Sequence, residues 1–357
     1  MATIVTGTAP PAPPAGHQGR VVRRRPFVVR NARVLLAWLV LAALLTIYVR
    51  EAPQFRPREQ RSIANSGVTL SLAGLGQTLV VLTGGIDLSV GPMVSLTNSI
   101  ASRIATKDSP DSSMALAVVV VLLVGAGGGF VNGVLVAYGR LQPIIVTLAT
   151  ASIWGGIALY VRPDPGGYIP PSFSELLSGL AFDQQPLTLP FGVTWDRPLP
   201  KALFLVVGLV AIWTIFRRTR LATRIYAVGS SEGAAYMSGV DVARTKVWAY
   251  TLAGLAAACA GLFASAQTAT GNALAGNVFT LNSIAAVVLG GASLAGGAGS
   301  FLGTLAGAYV IALIPSVLFF YEVSTFYQQL YQGSILLIAV SLGALGVFRI
   351  RNRLERL

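Results

Sequence analysis

The chain has 357 residues, 54% of them hydrophobic and only 11% charged, with a formal net charge of +13, whereas a soluble domain is about 25% charged. Its longest charge-free run, Val247 to Tyr321, covers 75 residues, and apolar runs of 18 or more residues read as membrane-spanning helices. A soluble fold is therefore excluded, and with one cysteine and one histidine so are a disulfide framework, a cysteine zinc site and a histidine metal cluster.

In chain order, residues 1–32 are Pro/Ala-rich and then Arg-rich. They read as a disordered cytoplasmic tail with a basic anchor against anionic lipid headgroups. Ten helices follow in the pattern of hydropathy and breakers, at 33–49, 62–83, 88–106, 114–138, 143–161, 201–216, 247–267, 281–295, 300–320 and 327–348. The stretch "GGASLAGGAGS" leaves the ninth boundary open between a turn, a broken helix and a re-entrant loop. Residues 349–357 form a second basic cytoplasmic tail. The expected fold is an all-α polytopic bundle of about ten transmembrane helices in one permease domain, 33–348, with both termini cytoplasmic.

The orientation rests on loop charge. With the amino terminus inside, the cytoplasmic segments carry 17 basic and three acidic residues and the outer ones nine of each. The inside sums to +14, the outside to zero, and Asp87 is the remaining charge. This asymmetry accounts for the basic excess without nucleic acid as a partner. Residues 162–200, with eight prolines, form the longest outer loop, and residues 217–246 the longest inner one.

Asp87, in "LTGGIDLSVG", is the only acidic residue between Glu59 and Asp108. Two readings stand. It is an N-cap of the third helix, accepting amide hydrogen bonds with Ser89 helping. Alternatively it lies in a broken-helix turn lining the pathway or gate with Gly84, Gly85, Ser89 and Gly91, because irregular backbone at membrane depth survives only beside protein or water.

Glycines recur at Gly125, Gly129 and Gly133 and again at Gly299, Gly303 and Gly307. Rows at this spacing let membrane helices approach closely, either within one bundle or at a subunit dimer seam. They fall on predicted helices of opposite direction, which is consistent with inverted repeats over helices 2–5 and 7–10. No Gly-x-x-x-x-Gly-Lys-Ser/Thr and no Gly-x-Gly-x-x-Gly occurs, so no nucleotide cofactor is expected. No paired carboxylates or nucleophile–base sets lie within the predicted spans, so no catalytic residue is assigned. Coupled secondary transport usually leaves several ionisable groups inside the bundle, and here there is one.

The stretch "LVVLTGGIDLSVGPMVSLT" resembles the signature of ribose-type ABC transporter permeases, which import pentoses, hexoses and related small polyols. "GRLQPIIVTLAT", "RLATRIYAVGSSEGAAYMSGVDVARTKVWAYTLAGLAAACAGL" and "SIAAVVLGGASLAGGAGSFLGTLAGA" agree in order, so the likeness covers about residues 55 to 348. The resemblance implies a dimer with a second permease copy or paralogue, cytoplasmic ABC ATPase subunits, a periplasmic sugar-binding protein and a bacterial inner-membrane location. It implies that residues 230–239 are the short coupling helix, with Ser231, Glu232, Ala234, Ala235 and Gly239 at the ATPase contact. The residues themselves allow a helix there: a serine cap, Glu232 in the first turn and Gly239 at the end. A solvated loop helix without a partner fits the same pattern. The chain departs from the family where relatives often carry acidic residues, having Thr280 and Asn282 in "TLNSIAA", so a particular sugar is not inherited. A branched-chain amino-acid permease and a stand-alone facilitator or secondary carrier are the alternative functions.

Overall fold

The computed structural model describes residues 27–51, 57–182, 187–188, 194–195 and 198–324, and isolated positions from 326 to 337. The chain divides after Ala32 into two units. Of the first only residues 27–32 are described, as helix; the second, Arg33–Leu357, holds the helical bundle. The carboxy-terminal tail and most of the tenth predicted span lie outside the described residues.

The long helices are α1 (Phe27–Glu51), α5 (Pro110–Ala137), α6 (Pro143–Val161), α8 (Lys201–Phe216), α11 (Val242–Thr268) and α13 (Phe301–Phe320). Their starts follow local chemistry. Pro110 and Pro143 occupy first turns, where a missing N–H costs nothing. The Asp241 carboxylate accepts from Arg244 N at 2.9 Å to cap α11, and Ser300 Oγ accepts from Leu302 N at the start of α13. The second predicted span is two helices, α2 (Pro57–Ser66) and α3 (Val68–Leu82), meeting at Gly67.

Among the described residues six helical stretches are long and apolar enough to cross a membrane, and seven if α8 is joined with α9 (Arg220–Ser230), to which it is bent by 76°. The third and eighth predicted spans are the short helices α4 (Val90–Ile104) and α12 (Asn277–Leu289). Their 15 and 13 residues rise about 22 and 20 Å at 1.5 Å per residue, less than the roughly 30 Å of hydrocarbon. Hydropathy misses this, because a helix too short to span, continued by apolar loop, scores like a whole one.

Each of these two helices follows a longer helical stretch through an irregular segment: α2–α3 (residues 57–82), residues 83–89, α4; and α11, residues 269–276, α12. Exchanging α3 with α11, α4 with α12 and α5 with α13 carries the main contacts among these six helices onto one another. α4 packs on α5 and α11 as α12 packs on α13 and α3, and α3 packs on α13 as α11 packs on α5. The pairs α3–α11 and α4–α12 cross the centre. This is an inverted repeat of the kind found in transporters. α4 and α12 meet at their amino-terminal ends: Gly276 N donates to Ser95 Oγ at 2.9 Å, and a Cβ on Gly91 would stand 2.6 Å from Gly276 O.

The glycine rows do different jobs in the two halves. Gly125, Gly129 and Gly133 lie against α11, where an added Cβ would meet Gly254 O at 2.6 Å, Tyr250 C at 3.0 Å and Val247 Cα at 2.8 Å respectively. The second row is not one helical stripe. Gly299 precedes α13 in an extended turn at φ +153°, while Gly303 and Gly307 lie on α13 against Gly290 and Ala286 of α12. Both rows are occupied within one protomer and are not a dimer seam. They are not symmetry mates either, since one faces α11 and the other α12.

α3 and the interior of α11 are buried, whereas α5, α6 and α8 turn Leu116, Leu123, Ile145, Leu148, Val207 and Ile215 outward, as lipid-facing helices do. At one end of the bundle lie α9 and α10 (Glu232–Met237); at the other lies α7 (Pro171–Ser178), with a short β-ladder pairing Leu180–Ala181 with Leu199–Pro200.

Candidate functional site

Asp87 is 2% exposed and stands three residues before Val90, the first residue of the helix it was expected to cap. Ser89 holds the N-cap position of α4, and its own side chain makes no cap bond. Instead the Asp87 carboxylate oxygen Oδ1 accepts from Ser89 N at 2.8 Å and from Ser89 Oγ at 2.6 Å. This two-residue reach is the local pattern by which aspartate closes a turn. Asn132 on α5 donates to the same Ser89 Oγ at 2.8 Å. With its amide oriented to satisfy both groups, Gln77 on α3 donates to Asp87 O at 2.9 Å and accepts from Asp87 N at 3.3 Å. Thr147, in the second turn of α6, accepts from Leu88 N at 3.1 Å and donates to Ile86 O at 3.3 Å.

Three helices thus hold one irregular segment, α3 and α6 by its backbone and α5 through the Ser89 side chain. Gly84 makes its first bend at φ +82°, and Gly85 leaves room for Tyr250, whose Oη would be 2.6 Å from an added Cβ. Tyr250 Oη and Asn132 Oδ1 are buried without partners among the described atoms. Of the residues picked from sequence, Gly84, Gly85, Asp87, Ser89 and Gly91 are brought together here. Gln77, Asn132, Thr147 and Tyr250 were missed; the visible signal was amides inside otherwise apolar runs.

The segment 269–276 is held from α4. Asn98 accepts from Asn272 N at 2.6 Å and donates to Thr270 O at 3.4 Å, and Gly271 exchanges backbone hydrogen bonds of 2.7 and 2.9 Å with Gly166. Arg162 Nη2 donates to Ser102 O at 2.9 Å beside them. Ser95, Asn98, Ser99 and Ser102 form one stripe along α4 by their spacing, a pattern legible in the sequence and not read there. Thr280 and Asn282 both lie on α12, and Thr280 Oγ1 stands beside Gly91.

At the α10 end, Ser231 accepts from Ala234 N at 3.3 Å to start α10. Gly239, at φ +78°, ends it, with Gly239 N donating to Tyr236 O and Val240 N to Ala235 O. Glu232 in the first turn is ion-paired with Lys246 on α11. Ala235 is buried against the bundle, while Tyr236 and Met237 are 72% and 84% exposed. A groove of about 940 Å³ runs beside them between the end of α5 and the start of α11, lined by Arg140, Leu141, Tyr236 and Asp241 among others.

A membrane bundle of inverted repeats with two helices too short to span meeting inside it, and a short helix presented at one end, defines a solute permease. Residues 61–340 match the family described as branched-chain amino acid transport system / permease component. The chain is 35% identical to a ribose import permease protein of Escherichia coli K12 over 86% of its own length and 91% of the relative's. It is 37% identical to one of Bacillus subtilis (79% and 82%), and 30% identical to a D-allose transport system permease protein of Escherichia coli K12 (86% and 90%). No solved structure matches. The chain belongs to this family of ABC transporter permeases, as a ribose-type, multi-pass protein of the bacterial inner membrane.

Proposed function

We propose that the chain is the membrane subunit of an ATP-driven importer of a monosaccharide or related small polyol, forming the pathway by alternating access. The observation that carries this reading is the inverted pair α3/α4 and α11/α12, whose irregular segments sit at opposite ends of the bundle around two helices too short to span. Such paired broken spans are where transporters build solute sites. The likeness to ribose and D-allose permeases supports the substrate class. Energy comes from a partner: α10, capped at both ends and with Tyr236 and Met237 outward, is the contact for a cytoplasmic ABC ATPase. A periplasmic sugar-binding protein delivers the solute, and a second copy or paralogue completes the pathway. We read α10 and Asp87 as lying on the cytoplasmic side, a reading that loop charge supports, with residues 33–348 as the permease domain and the basic tails 1–32 and 349–357 inside.

The test is co-expression with the ATPase and binding protein of the same transporter, purification on a tagged permease, and uptake of radiolabelled D-ribose, D-allose and L-leucine into proteoliposomes. ATPase retention with sugar uptake supports the reading; leucine uptake alone, or uptake without ATP, overturns it. Glu232→Lys faces Lys246 with a like charge, and Gly239→Leu forces a side chain into a left-handed turn. Both are expected to insert normally and to lose substrate-stimulated ATP hydrolysis.

A further inference from the structure

Between α10 and the irregular segments at its end of the bundle lies the last turn of α9, held there by one tyrosine hydroxyl and by close backbone packing at Gly229. Tyr226 Oη donates to Gly299 O at 2.7 Å, and Gly297 N donates to Leu82 O at 3.0 Å, joining the residues before α13 to the end of α3. Gly229 sits in the notch between them. A Cβ there would stand 2.5 Å from Gly297 N and 2.8 Å from Leu82 C, well inside the roughly 3.5–4.0 Å of an ordinary carbon contact. Gly296 closes the other side, where a Cβ would lie 2.7 Å from Gly229 O and 2.8 Å from Gly84 N. Gly84, Gly296 and Gly297 have φ of +82°, +89° and +68°, so their turns ask for glycine in any case. Gly229 is inside a helix, where glycine is disfavoured; what its missing side chain provides is the close approach.

We propose that Tyr226 and Gly229 form the joint through which α10 moves the membrane segments, the last turn of α9 passing one displacement to residues 83–89 and 291–299 together. The inference rests on the reading of α10 as the ATPase contact. α10 packs on the bundle through Ala235 and is joined to it on two sides. One link is to α11, through the turn at residues 238–241 and the Glu232–Lys246 pair, whose lysine side chain is 17% exposed. The other is the single extended residue Ser231 (φ −167°), after which α9 meets Leu82 and Gly297 with no side chain between. A contact of packed backbone has no rotamer to absorb a shift. Leu82 ends α3, so the turn that starts at Gly84 and leads to Asp87 moves with it. Tyr226 and Gly229 are positioning residues and make no contact with solute.

The experiment uses the complex with its ATPase in a Cys259→Ala background carrying Ala295→Cys. Ala295 is exposed, and its carbonyl oxygen lies 3.6 Å from where a Cβ on Gly84 would stand. The rate of maleimide labelling at this cysteine is measured with and without ATP and vanadate. In the parent a change of at least about threefold is expected. With Gly229→Ala the ATPase co-purifies and hydrolyses ATP but the labelling change is lost, and Tyr226→Phe at least halves it. An unchanged ATP response in both variants overturns the joint. Should Gly229→Ala fail to insert, Tyr226→Phe, which removes one hydroxyl, decides the question. Loss of ATPase co-purification from the parent itself overturns the reading of α10 and the joint with it.

Discussion

Segments 83–89 and 269–276 hold equivalent places in the two halves, each leading from a spanning stretch (residues 57–82 and α11) into a short helix, yet they are anchored differently. The first is gripped by Gln77, Asn132 and Thr147 from three helices and closed on itself by the Asp87 carboxylate. The second hangs from one helix, α4, through Ser95 and Asn98, with a backbone bridge to Gly166. A segment tied to three helices feels the movement of any of them; one tied to α4 follows α4. The asymmetry suits a cycle driven from the α10 end and answered at the other.

The sharpest way to break this comparison is at Asp87. Asp87→Ala deletes both bonds to Ser89, and hydrogen bonds to a charged group are worth about 1.5–3 kcal/mol each. Membrane yield is expected to fall several-fold and uptake at least tenfold. Asp87→Asn keeps an acceptor as good as aspartate for holding a helix start, so it is expected at normal yield but with uptake about tenfold lower. Normal uptake by the asparagine variant ends any role for the charge, and normal yield and uptake by the alanine variant ends the structural role too.

A somewhat smaller effect is expected at the outer segment. Asn98→Leu, of similar volume, leaves the Asn272 N–H and Thr270 carbonyl without the amide, and uptake is expected to fall about five- to tenfold. ATPase co-purification should be unchanged, because the α10 end is untouched. Loss of co-purification would show that the two segments are not separately anchored. Thr147→Val removes one of three grips on the inner segment. It should cost about 1 kcal/mol, read as roughly 2–4 °C in detergent melting, and a fall beyond about 8 °C would make Thr147 the principal anchor rather than one of three. Smallest is Tyr250→Phe. Removing a buried hydroxyl that has no partner is neutral or slightly stabilising, so the melting temperature should hold within about 1 °C or rise. A drop of several degrees would reveal an ordered water on that hydroxyl.

Much of the fold was legible because hydropathy and breakers are local. The helices 143–161 and 201–216 have the bounds that prolines and charges set for them. α10 begins at Ser231 and ends at Gly239 for reasons contained within one short stretch of chain. Helices too short to span were not legible: Val90–Ile104 and Asn277–Leu289 continue into apolar loop, and a window average does not register where the backbone stops being helical. The second glycine row misled for a related reason, since spacing alone does not reveal that Gly299 lies outside the helix carrying Gly303 and Gly307.

The sequence by itself determined that this is an α-helical membrane protein and that one carboxylate among glycines stands in the break after the second predicted span. Those properties are sums or patterns over neighbouring residues, and the bilayer acts on them one segment at a time. The tertiary structure alone decided which polar side chains hold the broken segments. Gln77, Asn132 and Thr147 meet residues 86–89, and Asn98 meets Thr270 and Asn272, across separations of up to 174 residues. Each such bond depends on two helices packing in one register, and no local rule of spacing specifies that register.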